Sequence, residues 1–199
     1  MTHPIKSILS VLVLSLFSVV SVTGQKNTFN PINTAVPALS IAPDARGGGM
    51  GDSGAATTPD VHSQYWNPAK YAFHDSKAGV SLSYTPWLRK IVNDVALAYV
   101  SGFYKLGDSD QQAIGTSLRY FSLGEIAMTE YGGAGYNQVT PYEMAFDMSY
   151  SRKLSENYSM AVALRYIRSD MGAGADEDLQ AGNAFSADVA GYLNKYVVL

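Results

Sequence analysis

Between Ala78 and Thr85 the even positions are Ala, Val, Leu and Tyr, while the odd positions are Gly, Ser, Ser and Thr. Tyr142 to Ser151 repeats the pattern. Tyr142, Met144, Phe146, Met148 and Tyr150 share one parity, and Glu143, Ala145, Asp147, Ser149 and Ser151 the other. Successive side chains of a strand point to opposite faces, so period two predicts strands and excludes helices. Three further runs alternate less cleanly. In 95–104, Val95, Leu97, Tyr99 and Phe103 oppose Ala96, Ala98 and Gly102; in 113–121, Ile114, Leu118 and Tyr120 oppose Gly115, Ser117 and Arg119. In 158–166, Tyr158, Met160, Val162, Leu164 and Tyr166 oppose Ser159, Ala161, Ala163 and Arg165. A sixth and weaker strand is predicted over 185–193. Most of these runs are about nine or ten residues long, the length that crosses a bilayer when tilted.

The connections sort by length. Leu106–Gln111 and Lys153–Asn157 are short and polar, Trp87–Asn93 is intermediate, and Glu125–Pro141 and Ser169–Asn183 are long and Gly-rich. If the first strand rises from the periplasm, both short turns fall on the periplasmic side and the other three outside. That is the asymmetry of outer-membrane barrels. Tyr84, Tyr104, Tyr120, Tyr142, Tyr150, Tyr158 and Tyr166 lie near strand ends, where an aromatic girdle would place them. A soluble β-sandwich, such as a lectin or adhesin, also alternates, but its strands are usually about five or six residues.

Composition sharpens the picture. Lys6 precedes Ile8–Val20, an apolar run broken only by serines, and Val22-Thr23-Gly24 supplies small residues before Gln25. As a helix the run would reach only about 20 Å, so residues 1–24 are expected to be a signal peptide rather than an anchor. Removing them takes Lys6 and leaves a net charge of about −4, which excludes a nucleic-acid partner. The chain has no cysteine, 14 Tyr, 18 Gly and only 16% charged residues. An exported, charge-poor, tyrosine-rich chain without disulfides fits a wall embedded in outer-membrane lipid.

Residues 25–76 form no strand run, yet are too apolar for a free linker. They are expected to fold inside a barrel as a hatch. Gly49-Met50-Gly51-Asp52-Ser53-Gly54 is a literal G-x-G-x-x-G. A dinucleotide fingerprint needs a buried strand before it and a helix after it. Here a polar stretch with Pro43 precedes it, and Thr57-Thr58-Pro59 follows, so no βαβ unit exists and no cofactor is implied.

Gly49, Gly51, Ala55, Asp60 and Asn67-Pro68-Ala69 spell G-x-G-x-x-x-A…D…NPA just ahead of the first strand. This series resembles the N-terminal hatch of the FadL superfamily of outer-membrane barrels. Within that superfamily, Asn33–Asp52, Gln64–Phe73 and Ser83–Lys90 are similar to the PorV (LptO) family, the outer-membrane shuttle components of the type IX secretion system of Bacteroidetes. The likeness runs from about Asn30 through Tyr192. It implies an all-β, antiparallel transmembrane barrel of 14 strands, of which residues 77–199 would hold about six, and departs at the tail Asn194–Leu199. It also implies a non-enzymatic role. Such a protein would bind the translocon barrel, receive cargo bearing a C-terminal signal domain and pass it to the attachment complex. The alternative is a FadL-like channel for hydrophobic small molecules.

No catalytic or metal constellation emerges. His62 and His74 lie on loops without a third ligand at metal spacing, and no G-x-S-x-G elbow occurs. Glu143 and Asp147 are about 13 Å apart along a strand, too far for a retaining glycosidase pair. With Arg119 and Arg165 they are expected to form a lumenal salt-bridge lattice. Trp87-Leu88-Arg89 is expected to be an interfacial anchor or a partner-contact loop. Six strands alone would leave two edges unpaired in lipid, so the isolated chain is expected to aggregate.

Overall fold

The computed structural model describes residues 36–87, 94–107, 110–129, 136–171 and 180–194. The expected signal peptide, residues 25–35, Leu88, Arg89 and the tail from 195 lie outside the described residues. Among the described residues eight strands follow the N-terminal segment: β1 (Ala78–Pro86), β2 (Val95–Leu106), β3 (Gln112–Leu123), β4 (Ile126–Thr129), β5 (Tyr136–Val139), β6 (Tyr142–Lys153), β7 (Tyr158–Asp170) and β8 (Gly182–Leu193). Six form one sheet in the order β1-β2-β3-β6-β7-β8, antiparallel at every step. The protein is therefore all-β and barrel-like in type, but the sheet is open. Among the described residues neither β1 nor β8 pairs along its outer edge. No helix among them is long and apolar enough to cross a membrane.

All six runs predicted from period two are strands. Most extend beyond the alternating core, β7 to 13 residues, because ladder hydrogen bonds continue past the point where the side chains sort cleanly. The long Gly-rich connection 125–141 contains β4 and β5, a separate antiparallel hairpin. The Leu123 amide donates to the Pro141 carbonyl at 3.0 Å and closes the base of this excursion.

The sheet has a bare face and a covered face. Val80, Leu82, Ile114, Leu118, Phe146, Met148, Val162, Leu164, Phe185 and Val189 are exposed on the bare face. Ala113, Ser117, Ala145, Ser151, Ser159 and Ala161 are buried on the other. Strand β2 reverses the sorting by size: Leu97, Tyr99 and Phe103 are buried, while Ala96 and Ala98 take the bare side.

The N-terminal segment fills the covered face. It comprises a 3₁₀ turn at Pro37–Ser40, a short helix at Ala45–Gly49, a helical turn at Ser63–Trp66 and a 3₁₀ helix at Pro68–Phe73. The last of these packs against β2, β3, β6, β7 and β8. Three small apolar clusters bind segment to sheet: Ala38 with Leu97 and Phe121, Tyr71 with Phe103 and Ala113, and Ala69 with Ala161 and Tyr192. Burial of a ring such as Phe103 is worth about 2–3 kcal/mol. Ala38 lies toward the end where β1 runs out to Trp87. Phe73 lies at the opposite end, with Lys153 4.8 Å above its ring and Tyr192 beside it.

Candidate functional site

The glycine-rich stretch owes its composition to packing. Asp44 caps the Ala45–Gly49 helix by accepting from the Gly47 amide at 2.7 Å, and its other oxygen accepts from Trp66 Nε1 at 2.8 Å. The Trp66 indole then lies so close that a Cβ on Gly47 would meet it at 2.5 Å and one on Gly54 at 2.3 Å. Gly51, at φ +72, ends the helix, and the Asp52 amide returns to the Gly47 carbonyl at 3.0 Å. This six-to-one bond with a left-handed residue before it is a Schellman cap. Gly49 is exposed, and a Cβ there would meet nothing within 4 Å. Among the described residues a short helix, Ala45–Gly49, and not a strand, runs into this stretch.

The remaining motif residues are joints. Asp60 accepts from Ser63 Oγ at 3.1 Å and pairs with Arg46 at 3.2 Å, while Arg46 also donates to Thr58. Asn67 caps the Pro68–Phe73 helix through the Ala69 amide, and Pro68 fits its first turn. The Asn67 side-chain amide donates to the Ala55 carbonyl at 3.2 Å and to the Gly191 carbonyl in β8 at 3.0 Å. Ala69 is fully buried, with its carbonyl accepting from Ser159 Oγ in β7 at 2.7 Å.

The structure adds residues that belong to no sequence motif. Tyr71 stacks on Phe103 at 4.8 Å, and its hydroxyl donates to the Val61 carbonyl while accepting from the Gln64 amide. Gln64 Oε1 accepts from Ser149 Oγ in β6 at 2.6 Å. Lys70 is buried and donates to the Gly54 carbonyl and Thr57 Oγ1. Burial pushes its pKa below the ordinary lysine value, although Asp60 partly opposes the shift. A signal for one of these contacts existed: Gly115, inside a strand pattern, marks a close approach. A Cβ there would lie 2.4 Å from Gln64 Oε1.

His62 and His74 are held by protein groups. His62 Nε2 lies 3.0 Å from Ser81 Oγ, and its ring stacks on Tyr99. His74 Nδ1 accepts from the Ser76 amide, and its ring tilts against Phe103 at 4.4 Å. Burial lowers the His74 pKa from its ordinary value. No cluster of three potential metal ligands occurs among the described residues.

Arg119, Glu143, Asp147 and Arg165 all belong to the covered side, but they do not form one lattice. Asp147 bonds Arg165 Nε across β6 and β7 and accepts from Ser117 Oγ in β3 at 3.1 Å. Arg165 also reaches Asp188 in β8 at 3.8 Å. The other two serve the N-terminal segment. Glu143 Oε2 accepts from the Ala38 amide at 2.8 Å, and Arg119 Nη1 donates to the Ala38 carbonyl. The Arg119 guanidinium also lies over the Tyr65 and Tyr99 rings, at 4.5 and 5.5 Å. Trp87 is exposed beyond the end of β1.

This arrangement can cover one face of a sheet and offer the other to an apolar medium. A family model described as Type IX secretion system protein PorV matches residues 23–198. No curated protein matches the chain.

Proposed function

Because the chain belongs to the PorV family of type IX secretion system proteins, we propose that it is a non-enzymatic outer-membrane component that binds the translocon barrel. It receives cargo bearing a C-terminal signal domain and delivers it to the surface attachment complex. The observation that carries this reading is the family match over nearly the whole chain. The fold supports it. A bare face of large apolar side chains on strands of 9 to 13 residues suits lipid. On this reading residues 25–76 are the hatch, and the export signal precedes them.

The occupied covered face supports docking over permeation: residues 36–74 lie against it, pegged to β3, β6, β7 and β8 through side-chain hydrogen bonds. Recognition then falls to the connections at the sheet ends, including Trp87-Leu88-Arg89. The test is a detergent-solubilised pull-down of the native protein read by mass spectrometry. The expected result is co-recovery of a very large barrel and of several proteins sharing one C-terminal domain. Recovery of the protein alone, with an apolar small molecule, would overturn the reading.

A further inference from the structure

Among the side-chain hydrogen bonds described between segment and sheet, the main-chain clamp on Ala38 stands apart. Asn67, Ser149 and Ser159 engage the deep part of the segment with neutral groups. Ala38 instead sits between two charged side chains, Glu143 on its amide and Arg119 on its carbonyl. Both are almost wholly buried, at 1% and 2% exposure, and each leaves one terminal atom unpaired, while the Arg119 guanidinium also lies over the Tyr65 and Tyr99 rings. Glu143 Oε1 and Arg119 Nη2 have no hydrogen-bond partner. Burying such atoms unpaired is costly, which offsets part of the cost of a rearrangement that pairs them.

The register supplies that rearrangement. Arg119 stands opposite Ala145, and Phe121 stands opposite Glu143, so Arg119 and Glu143 are diagonal neighbours on the covered face. Diagonal positions lie roughly 7–8 Å apart, within reach of these two long side chains. The other diagonal neighbour, Asp147, is already held by Arg165 and Ser117. We infer that Arg119 and Glu143 form an exchange latch. In one state they straddle Ala38, and in the other they pair with each other and the Pro37–Ser40 turn leaves the sheet. The block Ser63–Phe73 stays seated in both. This is a two-state element in which one polar contact set replaces another, and it does not depend on the secretion role.

The test uses Ala38→Cys in the full-length protein, in membranes isolated from its native organism, labelled with a hydrophilic maleimide. Labelling should be slow when the rest of the chain is unchanged. Adding Glu143→Gln keeps an acceptor for the Ala38 amide but removes the charge that favours release, so labelling should fall about tenfold. The exchange Arg119→Glu with Glu143→Arg keeps the ion pair but offers residue 38 the wrong partners, so labelling should rise about tenfold or more. The thiol of a separate Ala69→Cys variant should stay protected throughout. A rate in the E143Q background equal to or above that of A38C alone would mean a plain tether and overturn the latch. So would an A38C thiol that never reacts, or A38C and A69C thiols that react in parallel. Should the exchanged pair fail to assemble, the sign of the E143Q effect decides alone.

Discussion

Two glycines of this chain do opposite work. At Gly115 a Cβ would meet Gln64 at 2.4 Å, Tyr71 at 2.5 Å and Ser149 at 2.7 Å, so the strand wall has room for a hydrogen only. At Gly49 it would meet nothing. Gly115→Ala should therefore lower stability in detergent by about 1–3 kcal/mol, the usual cost of overpacking. Gly49→Ala should be neutral or slightly stabilising, since alanine is the better helix former. Denaturant midpoints of the two variants check the contrast. The sequence motif contained Gly49 and omitted Gly115, because a motif records spelling and not proximity. The Ala38 clamp was illegible for a related reason: its contacts are main-chain atoms, which leave no mark on residue type.

At the scale of elements, period two located all six sheet strands, because one face of each is apolar or one face is small. It could not say which face is covered. In β2 the large residues Leu97, Tyr99 and Phe103 point to the N-terminal segment, the reverse of β3, β6 and β7. Contacts made by Ala38 and Tyr71 decide that orientation, and they are remote in sequence. The β4–β5 hairpin escaped notice because four-residue strands are too short to display a period. Between β6 and β7, the Asp147–Arg165 pair is mostly shielded from solvent. Asp147→Asn should cost about 3 kcal/mol, the low end for breaking a buried pair because Arg165 keeps some solvent. Replacing both with leucine should recover most of the loss. Urea midpoints of the single and double variants, with the Arg165→Leu control, measure it.

At the largest scale, the two faces of the sheet differ: one carries the N-terminal segment and the other is bare. Leu164, 63% exposed at the middle of the bare face, touches water only if that face is not in lipid. In water Leu164→Lys would be almost without effect. In an outer-membrane wall it should cost about 2–4 kcal/mol near the bilayer midplane. Folding yield into vesicles, compared with the same substitution at exposed Leu154 in a turn, separates the two environments.

The joints between segment and sheet also set an order in time. Asn67 bonds Gly191, 124 residues later, and Ala69 bonds Ser159, 90 residues later. A part of the chain that leaves the ribosome early thus finds its partners on strands made much later. Until then its buried Lys70, Tyr71 and Gln64 have nowhere to go. Contacts of such long range slow folding, so the newly made protein must be kept from sticking to itself during that delay. On the proposed outer-membrane role, its time in the hands of periplasmic holding chaperones, followed by crosslinking, should lengthen with every delay in delivering β7 and β8.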